Sequence, residues 1–201
     1  VVCDDQAAGH KRYFALLKLL NRGAFVDVFD LGDNTVLKAY RRIPQTHAPV
    51  RNWDDHEFII RQLFAMEVLA YERLQPRPEL SKYVPTYYGP LDEATLTLPP
   101  SSSGDPFVPG CALRLERIPG ADIKIAHVPS RMQEEIEMVL EQIRDASGPV
   151  NVWDCSCFIP GPRSDFVVID FALWDEWSDL QLYLEEHGHI PADVRGRVKL
   201  V

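Results

Sequence analysis

Between Phe25 and Leu74 the apolar pattern changes period once, and that change limits the fold more than any other feature. Phe25-Val-Asp-Val-Phe29 alternates apolar and polar residues, Leu31-Gly-Asp-Asn-Thr35 has turn chemistry, and Thr35-Val-Leu-Lys-Ala-Tyr40 is a mostly apolar run holding one lysine. Runs of this length bounded by turn residues read as strands. Tyr13 to Leu20 is a further apolar run, so the spacing predicts three strands in an antiparallel meander. From Phe58 the period becomes helical, with Phe58, Ile59, Leu63, Met66, Leu69, Ala70 and Leu74 recurring near every 3.6 residues.

The rest of the chain is sheet-poor and helix-richer. Tyr83 to Gly89 reads as a short strand, and Cys111 to Glu116 as another, halted by Pro119-Gly120. Ser130 to Ala146 is a second amphipathic helix, with Ser130 as a cap and Met132, Ile136, Val139, Leu140 and Ile143 as its stripe. Phe166 to Ile169 is a buried-type strand running into Asp170, and a last helix is expected around Ser178 to Glu186. Sheet first and helices later is an α+β pattern. Two irregular stretches interrupt it. Pro44 to Asp54 reads as an insertion, and Leu98-Pro-Pro-Ser-Ser-Ser-Gly-Asp-Pro106 as an exposed loop.

Charge narrows the partners. With 21 Lys+Arg against 30 Asp+Glu the formal net charge is −9, which argues against nucleic acid and against anionic membranes. No run approaches the roughly 18 apolar residues of a membrane span. Four cysteines do not make a disulfide framework, and Cys155-Ser-Cys157 is too tightly spaced for a zinc half-site. Reduced thiols point to the cytoplasm or another intracellular compartment. His187-Gly-His189 reads as an exposed turn, and no Gly-x-Ser-x-Gly elbow supports a hydrolase.

Three positions carry chemistry. Leu20-Asn-Arg-Gly-Ala-Phe-Val-Asp-Val-Phe29 followed by Val36-Leu-Lys38 has the layout of a phosphate clamp: backbone N–H groups of a turn, then a strand lysine to pair with the charge. The plainer reading is a hairpin with a snorkelling lysine. Glu67, in the first long helix, is placed to hold that lysine, with Glu57 and Glu72 as rivals and a solvated helix charge as the plain alternative. Asp170, at the exit of an apolar strand and followed by Phe171, supplies hard oxygen suited to Mg²⁺; otherwise it merely ends the strand.

In this order the motifs resemble the protein-kinase-like superfamily, closest to its aminoglycoside-phosphotransferase-like and fungal kinase-like branches. Gly23-Ala-Phe-Val-Asp-Val resembles the glycine-rich loop, Val36-Leu-Lys38 the third-strand lysine motif, and Glu67 the C-helix glutamate. Leu115-Glu116-Arg-Ile-Pro-Gly120 resembles the adenine-binding hinge, and Asp170-Phe-Ala172 the Asp-Phe-Gly metal motif. The resemblance implies a two-lobed fold. An antiparallel N-lobe would span residues 1–116, with insertions at 43–57 and 98–110, and a reduced helical C-lobe would span 117–201. It also implies ATP and Mg²⁺ as ligands, with Gly23, Lys38, Glu67 and Glu116 binding nucleotide and Asp170 binding metal.

The sequence departs from the family at several points. Asn21 and Val26 stand at the flanking glycine positions of the loop. The family's His-x-Asp-x4-Asn catalytic loop falls on Gly148-Pro-Val-Asn-Val-Trp-Asp-Cys-Ser-Cys157. One register makes Asp154 the catalytic base; counting back from Asp170 puts Val152 there and Cys157 at the metal-binding Asn. Neither supplies that Asn, and a thiol is a poor Mg²⁺ ligand. With no Ala-Pro-Glu motif and few residues after Asp170, the expectation is either a minimal C-terminal lobe without the usual protein-substrate groove or a truncated gene product. A pseudokinase acting through protein contacts is the leading expectation. An active phosphotransferase using Asp154 and Asp170, and a non-enzymatic α+β interaction domain, are the alternatives.

Overall fold

The computed structural model describes residues 17–23, 25–42, 53–91, 98–147 and 155–171. Strands β1 (Lys18–Arg22), β2 (Val26–Asp30) and β3 (Thr35–Arg41) form an antiparallel meander. Strands β2 and β3 fall where the pattern puts them, whereas β1 is exposed and runs past the expected Tyr13–Leu20 stretch, of which residues 13–16 lie outside the described residues. Strands β4 (Tyr87–Pro90) and β5 (Phe107–Glu116) complete a five-stranded antiparallel sheet in the order β1-β2-β3-β5-β4. A second sheet, β6 (Asp122–Lys124), β7 (Ser156–Phe158) and β8 (Val167–Ile169), is also antiparallel. The α+β class with an antiparallel N-terminal sheet is therefore the observed one.

Helix α1 (Trp53–Leu74) covers one face of the first sheet. Its buried positions Ile60, Leu63, Glu67, Ala70, Tyr71 and Leu74 recur at helical spacing, and they meet Val36, Tyr40, Leu113 and Leu115 from the strands. The short α2 (Pro78–Ser81) buries Leu80. Helix α3 (Ser130–Ser147) adds Ile136, Val139, Leu140 and Ile143 to the same core. Its C-terminal turn is held by α1, because Arg73 donates to the Ser147 carbonyl at 3.1 Å. The second sheet joins this core through Cys155, Cys157, Phe166 and Val168.

The other face of the first sheet is also closed. Phe29, Leu37, Ala39 and Ala112 form a second cluster on it, and Leu17, Leu91, Leu98 and Phe107 pack over them. The 98–106 segment is therefore a partly buried cover, not the exposed loop that its composition suggests: Leu98 finds apolar partners, and Ser101 and Ser102 are half-buried. Strand β5 begins at Phe107 and α1 at Trp53, so both take residues from the stretches expected to be insertions. The expected helix around Ser178–Glu186 and the catalytic-loop stretch with Asp154 lie outside the described residues. No helix among the described residues is long and apolar enough to cross a membrane.

Phe29 tests the cover. It is 1% exposed and meets Phe107 edge-on at 6.0 Å between ring centroids. Phe29→Ala should cost about 3–5 kcal/mol in chemical denaturation, the range for a fully buried aromatic. A loss below about 1 kcal/mol would mean that this face is open to water.

Candidate functional site

Lys38 lies on the face of β3 covered by α1, opposite Val28 in the ladder with β2 and Leu113 in the ladder with β5. Its ammonium donates to Glu67 Oε1 at 2.8 Å and to Asp170 Oδ1 at 2.9 Å. The three elements that carry these groups are far apart in sequence, and the ammonium is where they meet. Of the three helix carboxylates weighed, Glu67 is the one that reaches it. Glu57 pairs instead with Arg42 at 2.7 Å and Arg61 at 2.8 Å, and Glu72 is exposed.

Glu67 has no solvent exposure, which makes its partners obligatory. Lys38 takes one carboxylate oxygen, and the Tyr40 hydroxyl donates to the other. Tyr40, two residues beyond Lys38 on the same face of β3, was not anticipated from sequence. Burial raises its hydroxyl well above the ordinary value, and the Glu67 charge pushes the same way, so it stays a donor.

Asp170 is positioned from both sides. Ile169 ends β8, and the Phe171 ring packs edge-on against Tyr71 at 5.3 Å. Tyr71 lies one turn after Glu67 on α1, so a single helix face fixes the lysine's carboxylate partner and the aromatic that anchors Asp170. Asp170 itself takes φ +73°, a left-handed backbone uncommon for a residue with a side chain. Its side chain is 38% exposed, against 0% for Glu67, so it is the oxygen that solvent and ions reach.

Charge sets the protonation states. Burial alone would lower the Lys38 pKa, but the Asp170 and Glu67 carboxylates override it and hold the ammonium charged. The Lys38 charge in turn holds Asp170 below its ordinary 3.8 against the effect of burial, with a smaller contribution from Lys124 on β6. The Cys155 thiol donates to the Asp170 carbonyl at 3.2 Å, and burial raises it well above its ordinary value. Cys157 lies inside β7, and burial pushes it up to about 12. The thiol beside Asp170 is thus that of Cys155, not of Cys157, which counting back from Asp170 would place at the metal position.

The remaining expected site residues lie elsewhere. Gly23 sits at the turn between β1 and β2. Glu116 ends β5, where its carboxylate accepts from the Thr86 amide and hydroxyl, each at 2.9 Å, and from Arg163 at 2.6 Å. Burial would raise Glu116, but these hydrogen bonds and the Arg163 charge lower it below its ordinary value. The side chain is thereby spent on tying β4, β5 and the 159–166 loop together. Asp154 is outside the described residues.

The donor set bears on the metal. Among the described residues, no group of three His, Cys, Asp or Glu could hold an ion. Glu67 is committed to Lys38 and Tyr40, and both thiols stay protonated and soft. Among the described residues of this cluster, Asp170 offers the accessible hard oxygen. That fits Mg²⁺ shared with a phosphate ligand and does not fit a dedicated protein cage.

No protein-family profile matches the chain, and no curated protein sequence is significantly similar to it. Among solved structures, it is similar to the crystal structure of the Rio2 kinase-ADP/Mg²⁺-phosphoaspartate complex from Chaetomium thermophilum. The identity is 12% and the TM-score 0.45, over 88% of this chain and 57% of that one.

The Asp170 shift has a signed consequence. A carboxylate depressed in the folded state adds stability above its unfolded value of 3.8, and loses it as pH falls through the folded value. Denaturation from about pH 6 to about pH 3 should therefore show the wild type losing stability relative to Asp170→Asn. A pH-independent difference would show that Asp170 is not held by Lys38. Tyr40→Phe, which strands the second Glu67 oxygen, should cost about 1–3 kcal/mol at neutral pH by the same method.

Proposed function

We propose that the chain is a protein-kinase-like domain with a nucleotide site built on Lys38, Glu67 and Asp170, impaired in phosphoryl transfer and acting through protein contacts. One observation carries the nucleotide site: the Lys38 ammonium stands between Glu67 at 2.8 Å and Asp170 at 2.9 Å, joining strand, helix and strand exit. In this reading the first sheet with α1 is the N-lobe, and the chain from residue 117 onward belongs to the C-lobe.

The charges define what the site accepts. Lys38, Glu67 and Asp170 sum to one negative charge, so a bare triphosphate is repelled. A divalent ion reverses that balance, and Asp170 is the exposed oxygen to receive it. When bound, Mg²⁺ would neutralise phosphate charge. The chain's own part is to aim the Lys38 ammonium at the phosphates while Glu67 and Tyr40 hold it from behind. Neither register of the catalytic loop supplies the family's Asn for a second metal, and burial keeps the Cys155 thiol beside Asp170 protonated, which supports impaired transfer.

Thermal denaturation with ATP, alone and with Mg²⁺ or Mn²⁺, tests this reading. Stabilisation is expected only with the divalent ion, and Asp170→Asn should weaken it by about tenfold or more in apparent affinity. No stabilisation under any combination, in the wild type and with Arg41→Lys alike, would sink the nucleotide site. Transfer of the γ-phosphate that vanishes in Asp154→Asn would replace the impaired reading with the active one.

A further inference from the structure

We propose that the turn between β1 and β2 is latched shut by Arg41, Asp27 and the serine loop 101–103, and that nucleotide reaches the Lys38 site only when this latch opens. The proposal rests on the nucleotide reading above and adds its regulation.

Asp27 is fully buried on the outer face of the sheet, opposite Ala39 in the β2–β3 ladder. It accepts from Arg41 Nε at 3.0 Å, from the Ser102 amide at 2.7 Å and from the Ser102 hydroxyl at 2.5 Å. Arg41 is buried as well. Its guanidinium donates to the Ser103 hydroxyl at 3.0 Å, the Gly23 carbonyl at 2.6 Å and the Val26 carbonyl at 3.4 Å. One planar fork thus joins the serine loop, the buried carboxylate and the turn.

The turn spends its own backbone groups too. The Gly23 amide donates to the Val26 carbonyl at 2.9 Å, and the Phe25 carbonyl accepts from the Arg41 amide at 2.7 Å. A Cβ on Gly23 would meet Val26 Cγ2 at 2.8 Å, so the Val26 side chain already fills the space against the glycine. Phe25 and Val26 pack onto the main core on the Lys38 side. Arg41 and Lys38 point to opposite faces of β3 by strand alternation. Gly23 and Val26 are therefore held by their carbonyls on the outer face, and Phe25 and Val26 by their side chains on the inner one. Its Gly23 amide, the donor that a phosphate would need, is already committed.

A ligand that binds only the open turn shows an affinity reduced by the open fraction. Loosening the latch should then tighten binding, the reverse of what structural damage does. Arg41→Lys keeps a cation against Asp27 but lacks the fork that reaches Gly23 and Ser103 together. It should raise the affinity for Mg²⁺-ATP about five- to tenfold in equilibrium titration. It should also speed hydrogen exchange at the Gly23 and Ser102 amides. The double change Ser102→Ala with Ser103→Ala, which removes two hydroxyls without unpairing the buried ions, should act in the same direction. Binding by this variant where the wild type shows none would establish the latch as a complete block. Equal or weaker binding by the loosened variants, with the wild type binding, would overturn the latch and leave the nucleotide site standing. Failure of every form to bind would overturn both.

Discussion

A carboxylate with no access to water must be compensated where it stands, and Glu67 is such a group. Its two oxygens require a cation and a hydroxyl, and Lys38 and Tyr40 on one face of β3 supply them. That requirement fixes the register of α1 on the sheet. A rotation of the helix by one residue would take Glu67 out of reach and leave its buried carboxylate without its cation. Tyr71 follows one turn later and meets Phe171, so the same register also sets Asp170. The first sheet, the long helix and the exit of β8 are thus positioned by one buried ionic contact and its aromatic neighbour.

The two faces of the first sheet do different work. The inner face carries charge into an apolar core and exposes it only at Asp170. The outer face is closed by Leu98 and Phe107 and by the serine loop, whose hydrogen bonds run to Asp27 and Arg41. Strand alternation makes this division automatic: even positions of β3 from Val36 to Tyr40 face the helix, and Leu37, Ala39 and Arg41 face the cover.

Much of this could be read from the sequence, and the reasons for the rest are physical. Strands β2 and β3 and helices α1 and α3 announce themselves by period, and Lys38 and Asp170 stand out as charges in apolar strands. Glu67 was separable from its rivals on the same grounds. It shares the stripe of Ile60, Leu63, Ala70 and Leu74, whereas Glu57 and Glu72 do not, but its charge hides the match. Strands β6 and β7, three residues each, are too short to show a period. The cover over the outer face was missed because Ser, Gly and Pro signal irregular backbone, which is correct, and not its burial. Cys155 and Cys157 could not be ordered by counting, because register within the β7–β8 hairpin is set by pairing, Ser156 with Ile169 and Cys157 with Val168. The Glu116 carboxylate forms a structural tie that only the fold brings to Thr86 and Arg163.

That tie bears on mechanics. Arg163, from the loop after β7, reaches Glu116 and Thr86 and also the Val84 carbonyl at 2.8 Å. The backbone nearby is bound as well, since the Val168 amide donates to the Tyr83 carbonyl at 2.7 Å and the Tyr83 and Phe166 rings stack at 5.0 Å. The segment joining the two sheets is therefore bridged by contacts on a second path. A pivot about residues 116–118 would have to break that bridge first. Changing the width of the space between the sheets therefore costs these contacts as well as the bending of the joining segment.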